Sequence, residues 1–382
     1  MKFSECVEIV GSKPSRYQGI KQYVSTGALD SDHIDENSIE EYAYDDRPSR
    51  ADLVAEAGNV LFAKMAETKK TLVINNQNEK YLFSTGFFAV KPKKNVLTTE
   101  CLYYLLNSNT FLSQKDKYSS GATQKAISNA SLEKIIVNIP CFSKQEDIVK
   151  QLDKLSNIIK KTRKQLLNFD LLIKSRFIEM FGDISTSEYK YETRKLGTVA
   201  NVGSSHRVFT TEFVEKGIPF YRGTEIGELA NGHKPIDPYY ISDEHYNRLA
   251  DNDTKPKIGD LLMPSICNKG QVWMVDTEEP FYYKDGRVLS ISPDKSIYNP
   301  KYLQYFMREK TLVEYPKLGS GSTFAEFKIF LLKNIDVLTP PKQLQDNFAS
   351  FVQQIDKSKF VVQKSLEKAE TLYKSLMQKY FG

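Results

Sequence analysis

The chain has 382 residues, a formal net charge of +5 and 40% hydrophobic residues, which is enough apolar material to build two cores. It contains no apolar run of membrane-spanning length, and its first residues, MKFSECVEIV, lack the pattern of a signal peptide. The four cysteines and four histidines are scattered along the chain, so neither a zinc site nor a disulfide framework is indicated, and a cytoplasmic protein without a metal or cofactor is expected.

Each half of the chain opens with a globular region in which similar elements follow in the same order. A short apolar stretch after Lys2 has a counterpart after Lys195, and the strand GNVLFAKM has a counterpart in GDLLMPSI. A later strand then enters a proline turn and an aromatic-rich helix, as GFFAVKPKKNVLTTECLYYLL and GRVLSISPDKSIYNPKYLQYF. Alternating β-branched and aromatic residues, interrupted by glycine and proline, predict an α+β domain in each half.

The end of each globular region and the segment that follows it are repeated. Aligning Ser120 with Ser320 also aligns Pro140 with Pro340, and the match continues without a gap to Gly182 and Gly382. A period of about two hundred residues is too long for a solenoid repeat. The sequence therefore predicts an internal duplication with pseudo-twofold symmetry.

The repeated segments carry the heptad pattern of coiled-coil helices. Apolar residues recur at alternating steps of four and three, which keeps two helices facing each other along a continuous seam. The seam residues are Ile148, Leu152, Leu155, Ile159, Leu166, Phe169 and Ile173 in the first helix and Phe348, Val352, Ile355, Val362, Leu366, Tyr373 and Leu376 in the second. Each helix would extend roughly 57 Å.

These patterns predict two α/β domains separated by two long antiparallel coiled-coil helices. The expected segments are a first domain at 1–142, a central helix at 143–183, a second domain at 184–341 and a C-terminal helix at 342–382. The alternative is that each helix packs on its own globular domain, although such packing would not require matched heptads in both halves.

Charge is distributed unevenly between the globular and the helical segments. Residues 1–139 hold 17 basic and 17 acidic side chains, and residues 185–339 hold 20 and 21, so the basic surplus lies in the helices. Any contact of the globular regions with nucleic acid must therefore come from local basic patches. Residues 30–56 are especially acidic and are expected to face away from phosphate.

The whole architecture resembles the specificity subunit of a type I restriction-modification enzyme. Two variable globular regions are each followed by a related helix, which the chain enters through Pro140 and Gln145 or through Pro340 and Gln345. The resemblance implies that the globular regions are target-recognition domains, each reading one half of an asymmetric, bipartite site in double-stranded DNA. It also implies that the helices set the spacing, and that two methyltransferase subunits and the restriction subunits assemble around this noncatalytic chain.

Basic, amide and aromatic residues outside the core pattern are the candidate DNA contacts. Arginine pairs with guanine and asparagine or glutamine with adenine, whereas lysine mostly contacts phosphate. The candidates are Lys13, Arg16, Tyr17, Lys64, Lys69, Lys70, Thr123, Gln124 and Lys125 in the first domain and Ser205, His206, Arg207, Tyr221, Arg222, Asn268, Lys269, Lys284, Arg287 and Thr323 in the second. Each could instead be a solvated surface group, a turn-forming threonine or, for the tyrosines, a half-buried sheet residue.

No catalytic motif is indicated by the sequence. Residues 299–302, Asn-Pro-Lys-Tyr, resemble the Asn-Pro-Pro-Tyr motif of adenine methyltransferases, but Lys301 replaces a proline and no glycine fingerprint for the methyl donor follows an early strand. A Walker loop is also absent from the sequence. The leading alternative function is a noncatalytic, protein-binding adaptor with duplicated domains on a coiled-coil strut, and retention on a bipartite DNA probe would separate the two hypotheses.

Overall fold

The computed structural model describes residues 1–249, 254–318 and 325–382. The chain divides into two units. Unit 1 comprises Met1–Gln165 and Val362–Gly382, and unit 2 comprises Leu166–Val361. Two 40-residue helices contribute to both units. Within the described ranges, no helix combines the length and the apolar character that crossing a membrane would require.

Unit 1 is an α+β structure with short strands followed by helices. Its strands are β1 (Val7–Val10), β2 (Ile20–Val24), β3 (Leu29–Asp30), β4 (His33–Ile34), β5 (Glu40–Ala43), β6 (Val60–Ala63), β7 (Thr71–Val73), β8 (Leu82–Phe83) and β9 (Phe87–Pro92). Its helices are α1 (Phe3–Cys6), α2 (Thr99–Leu106), α3 (Asn109–Lys117), α4 (Asn129–Leu132) and the first part of α5 (Phe142–Phe181).

The strands of unit 1 form two main sheets. The larger is antiparallel, in the order β1-β9-β6-β7, and the smaller has the order β5-β2-β8, with β2 and β8 parallel. In the larger sheet, alternate residues of β6 and β9 enter two different apolar clusters: Phe62 and Phe88 pack towards α2 and α3, and Leu61 and Ala89 pack on the other face. Burial on both faces explains why these strands are continuous apolar runs in the sequence.

Unit 2 has a similar order of strands, with two short helices inserted among them. Its strands are β10 (Gly182–Asp183), β11 (Glu188–Tyr189), β12 (Thr193–Lys195), β13 (Ala200–Gly203), β14 (Ile218–Tyr221), β15 (Tyr239–Ile241), β16 (Leu261–Pro264), β17 (Trp273–Met274), β18 (Tyr282–Tyr283), β19 (Val288–Pro293) and β20 (Asp336–Leu338). Its helices are α6 (Leu196–Val199), α7 (Gly223–Ala230), α8 (Asp243–Leu249), α9 (Pro300–Glu314), α10 (Ile329–Lys333) and the first part of α11 (Lys342–Phe381).

The sheets of unit 2 correspond to those of unit 1 strand by strand. The larger sheet has the order β13-β19-β16-β17, and the smaller has the order β15-β14-β18, with β14 and β18 parallel. Two further pairs, β10-β11 and β12-β20, complete the described strands. The predicted α+β class and the internal duplication are therefore confirmed at the level of topology.

Within each unit, a stretch of α5 runs antiparallel to a stretch of α11. In unit 1, Ile148 and Leu152 share a core with Phe381, and further along the pair Arg163 binds Glu370 at 2.5 Å. In unit 2, Lys359 binds Asp170 at 2.6 Å, and the Phe177 and Phe348 rings pack with centroids 5.4 Å apart. All fourteen residues proposed for the seam are buried or half-buried.

A buried glutamine joins each helix to the domain that precedes it. The Gln145 side chain accepts a hydrogen bond from the Thr98 amide at 2.9 Å and donates to the Val96 and Pro140 carbonyl oxygens. Gln345 repeats the arrangement with Asn299, Ile297 and Pro340. Both glutamines are 0% exposed. The repeated Pro and Gln of the sequence are therefore parts of one hydrogen-bonded joint.

Candidate nucleic-acid interface

The strand directions bring several loops of unit 1 to one edge of the larger sheet. Because β1 and β6 both pair antiparallel with β9, their C-terminal ends lie beside the N-terminal end of β9. The parallel strands β2 and β8 also end there, and the Ser84 amide donates to the Val24 carbonyl at 3.1 Å. We call residues 25–27, 64–70, 84–86 and 119–126 the loop edge of unit 1.

Two segments of this edge are paired through their backbones. The Ala66 amide donates to the Lys125 carbonyl, and the Ile127 amide donates to the Lys64 carbonyl, both at 2.9 Å. The structure thereby brings together six candidate contacts from two distant parts of the sequence. These residues are Lys64, Lys69, Lys70, Thr123, Gln124 and Lys125.

The side chains of this group fall into two sets. Lys64 donates to the Thr85 carbonyl at 2.8 Å and lies over the Phe88 ring, and burial lowers the pKa of Lys64. Lys70 donates to the Thr26 carbonyl at 2.7 Å. These two lysines therefore cross-link the edge, whereas the other four side chains are exposed.

The remaining first-domain candidates lie elsewhere and contact the acidic segment. Arg16 binds Asp45 at 2.8 Å, and Lys13 binds Asp52 at 3.4 Å. Arg16 precedes β2, whose five residues span roughly 17 Å, so it lies at the opposite end of that strand from the loop edge. Tyr17, beside it, donates to the Tyr42 carbonyl at 3.1 Å. These contacts pair residues 13–17 with the acidic segment at residues 30–56, and the orientation of that segment away from phosphate stays a prediction.

Unit 2 presents the corresponding edge. The C-terminal ends of β13 and β16 lie beside the N-terminal end of β19, and the Lys284 amide donates to the Tyr221 carbonyl at 2.9 Å. We call residues 204–209, 221–222, 265–271 and 284–287 the loop edge of unit 2. Its exposed candidates are His206, Arg207, Asn268, Lys269, Lys284 and Arg287.

Some candidates of unit 2 are engaged within the protein. Ser205 is 7% exposed and its hydroxyl donates to the Tyr283 carbonyl, so its role as a DNA contact stays a prediction. Arg222 binds Glu225 at 2.5 Å. Burial acts to raise the pKa of Glu225, but the hydrogen bonds from Arg222 and from the Glu225 backbone, together with the charge of Arg222, hold the pKa below its usual value. Both side chains are thus bonded within the protein, although that of Arg222 is 38% exposed.

Other candidates are partly buried, paired with acids or outside the described residues. Tyr221 is half-buried and stacks on Phe281 with ring centroids 5.1 Å apart. Arg287 is exposed but binds Glu326 at 2.7 Å. Thr323 lies outside the described residues.

Sequence reasoning missed two features of these edges. Phe209 is 56% exposed, and the Arg207 guanidinium lies 5.1 Å from its ring centre, but the aromatic candidates included only tyrosines. Thr26 and Thr85 reach the edge through a parallel strand pair. Because such a pair joins strands that are distant in sequence, a local sequence pattern does not predict it.

Comparison with known proteins finds similarity to type I restriction-modification specificity proteins. Residues 15–168 match the family model described as type I restriction modification DNA specificity domain. The Haemophilus influenzae protein described as type I restriction enzyme specificity subunit S.HindORF215P is 25% identical over 268 residues, which are 69% of this chain and 66% of that protein. The Methanocaldococcus jannaschii type I restriction enzyme MjaIX specificity subunit is 26% identical over 289 residues, which are 70% of this chain and 64% of that protein. Both matches span slightly less than two thirds of the relative.

Solved structures show the same fold. A chain from a study of complex assembly and conformational transition of the type I R-M system aligns with a TM-score of 0.56 at 19% identity, covering 100% of this chain and 96% of that one. The type I restriction-modification system S subunit from M. genitalium aligns with a TM-score of 0.55 at 15% identity, covering 100% and 95%. The matched family model and the two relatives are thus type I restriction-modification specificity proteins, and this chain resembles them in sequence and shares its fold with a solved S subunit.

Proposed function

We propose that this chain is the noncatalytic, sequence-specific DNA-binding subunit of a cytoplasmic type I restriction-modification complex. Each unit reads one half of a bipartite site in double-stranded DNA through its loop edge. Two methyltransferase subunits and the restriction subunits assemble with the chain and supply the chemistry. The seam residues of α5 and α11 serve to hold the two helices together within this assembly.

The observation that carries the proposal is a duplicated scaffold with different loop edges. Both units have the same strand order, and both have the same glutamine joint. At the edges, however, Gln124 and Lys125 are exposed in unit 1, whereas Asn268 and Lys269 are exposed in unit 2. Matched scaffolds with unmatched surfaces are expected when two modules read different sequences, so the two half-sites should differ and the whole site should be asymmetric.

The exposed groups have the chemistry that direct reading of DNA requires. The amides of Gln124 and Asn268 each offer a donor and an acceptor, which together match the edge of adenine in the major groove. The Arg207 guanidinium can donate two parallel hydrogen bonds to guanine. Lys69, Lys125 and similar lysines would contact phosphate, which positions the protein without selecting sequence.

Charge balance argues that the partners contribute to affinity. The globular regions are close to neutral, and several basic residues at the edges are already paired with acids, as Arg287 is with Glu326. Affinity for DNA depends strongly on the number of phosphates that are neutralised. The chain alone should therefore bind its site more weakly than the complex with methyltransferase subunits does.

Binding to designed duplexes tests the proposal. One duplex carries the bipartite motif methylated in the host, and two others carry a scrambled first or second half-site. The complex should retain only the intact duplex. Gln124→Ala should cost about 1–3 kcal/mol of discrimination at a first-half position, whereas Lys134→Ala should have no effect, because Lys134 lies by the start of β1, at the other end of the sheet. Equal retention of all duplexes would favour a protein-binding adaptor.

A further inference from the structure

Lys115 is a buried lysine in a domain where most lysines are exposed or half-buried. It lies on α3, and its side chain is 1% exposed. An ammonium group removed from water is stable only when its donors are satisfied. Its partners therefore indicate what the buried charge does.

The Lys115 ammonium is directed at the backbone of the basic loop at residues 64–70. Its Nζ atom donates to the carbonyl oxygens of Met65 at 2.8 Å, Thr68 at 2.6 Å and Ala63 at 3.5 Å. Three protons thus meet three acceptors, which satisfies the group. Met65 and Thr68 lie in the connection between β6 and β7, and Ala63 is the last residue of β6, so one side chain closes that connection from the inside.

The neighbouring residue on α3, Asp116, binds a backbone amide of the same loop. Asp116 accepts a hydrogen bond from the Glu67 amide at 2.9 Å. Glu67 has a φ of +56°, in the left-handed region that non-glycine residues seldom adopt without support. Lys115 and Asp116 together therefore fix both the position of the loop and its unusual backbone conformation.

Among the described residues of unit 2, neutral groups hold the corresponding loop. Cys267 is 0% exposed, and its thiol contacts the Gln271 carbonyl at 3.5 Å and the Thr311 hydroxyl at 3.7 Å. The Gln304 amide donates to the Val272 carbonyl at 3.0 Å. Neutral groups thus hold this connection, whereas a buried ammonium of unit 2, that of Lys310, binds Glu314 at 3.0 Å instead.

We propose that Lys115 is a positioning residue for reading the first half-site. It holds the loop at residues 64–70 in the conformation that presents Lys69 and that pairs with the segment carrying Gln124 and Lys125. This inference rests on the proposed function. Lys115 itself has no access to DNA, but it determines which DNA groups the exposed residues of the same edge can contact.

The variants are chosen to separate positioning from general stability. Lys115→Met keeps the length of the side chain and removes all three donors. Asp116→Ala perturbs the same loop from a position that is 35% exposed, so it remains informative where the methionine variant fails to fold. Lys117→Met, two residues further along α3 and exposed, is the matched control.

Binding is measured for the full chain with its methyltransferase subunits, on the intact duplex and on the duplex with a scrambled first half-site, over a series of salt concentrations. Each lost phosphate contact lowers the steepness of the salt dependence by about 0.9. Lys115→Met should weaken binding to the intact duplex at least about tenfold. It should also lower the slope by about 0.9 to 1.8, which corresponds to the loss of one or two phosphate contacts. Asp116→Ala should do the same to a smaller extent, and Lys117→Met should match the parent.

A merely structural role gives a different result. A smaller folded fraction reduces the active concentration but leaves the salt slope unchanged and affects both duplexes equally, and that outcome would overturn the proposal. A folded Lys115→Met protein with parental affinity and slope would overturn it as well. Failure of the proposed function is recognised separately, because the parent itself would then not distinguish the duplexes. Hydrogen exchange of the Ala66 and Glu67 amides, faster in the variant if Lys115 holds the loop, would still decide whether the contact matters.

Discussion

Replacing Gln345 with leucine should destabilise unit 2 by about 3 kcal/mol. Leucine has a similar volume but removes three hydrogen bonds, to the Asn299 amide and to two carbonyl oxygens. Each such bond contributes about 1 kcal/mol net, and the abandoned partners are left unsatisfied in a buried site. The loss should therefore be much larger than that of an exposed glutamine in the same helix turn.

The chain offers an internal probe for this measurement. Its single tryptophan, Trp273, is 5% exposed in β17 of unit 2, so urea unfolding followed by tryptophan fluorescence reports on this unit. Gln343→Leu is the matched control, because Gln343 is exposed in the first turn of α11, and it should change stability by less than about 0.5 kcal/mol. If the two variants unfold at the same urea concentration, the glutamine joint does not stabilise the unit and the reasoning is wrong.

Further predictions concern reading and spacing. Gly121→Ala should weaken binding to the first half-site, because an added Cβ would lie 2.3 Å from the Gln124 carbonyl oxygen at a φ of +139°; unchanged affinity would contradict this. Exchanging residues 185–339 for the corresponding domain of a relative should change only one half of the methylated motif, and a change in both halves would refute independent reading. Inserting four residues after Gln165 and four after Val361 lengthens each helix by roughly 6 Å. The methylated motif should then contain one or two more unread base pairs between its half-sites, and an unchanged spacer would show that the helices do not set the spacing.

Long-range periodicity made much of the fold predictable. Heptad spacing identified both long helices, because a seam of that length requires a partner helix. The fixed offset between the halves indicated the duplication before any strand pairing was known, and the aligned Gln145 and Gln345 proved to have equivalent buried partners. The structure starts the first long helix at Phe142, one residue before the predicted boundary at 143.

The candidate interface was less predictable, because its members depend on contacts between distant segments. Composition alone did not reveal that Arg16 would face Asp45, since the pair is separated by 29 residues. Ser205 is buried and bonded to the Tyr283 carbonyl, a partner 78 residues away in the sequence. Lys115 was indistinguishable from a surface lysine in the sequence, because its three acceptors are backbone groups. The basic segments could thus be located from residue type. The tertiary structure was needed to distinguish exposed side chains from those already bonded within the protein.

Mapping methylated bases across the host genome, with and without the gene for this chain, would show whether the chain selects the sequence that is methylated. We expect one asymmetric, bipartite motif to be methylated when the gene is present and unmethylated when it is deleted. Restoring the gene with Gln124→Ala should relax the motif at a position in one half-site only. A methylation pattern that is identical with and without the gene, in a host that expresses the methyltransferase subunits, would contradict the account.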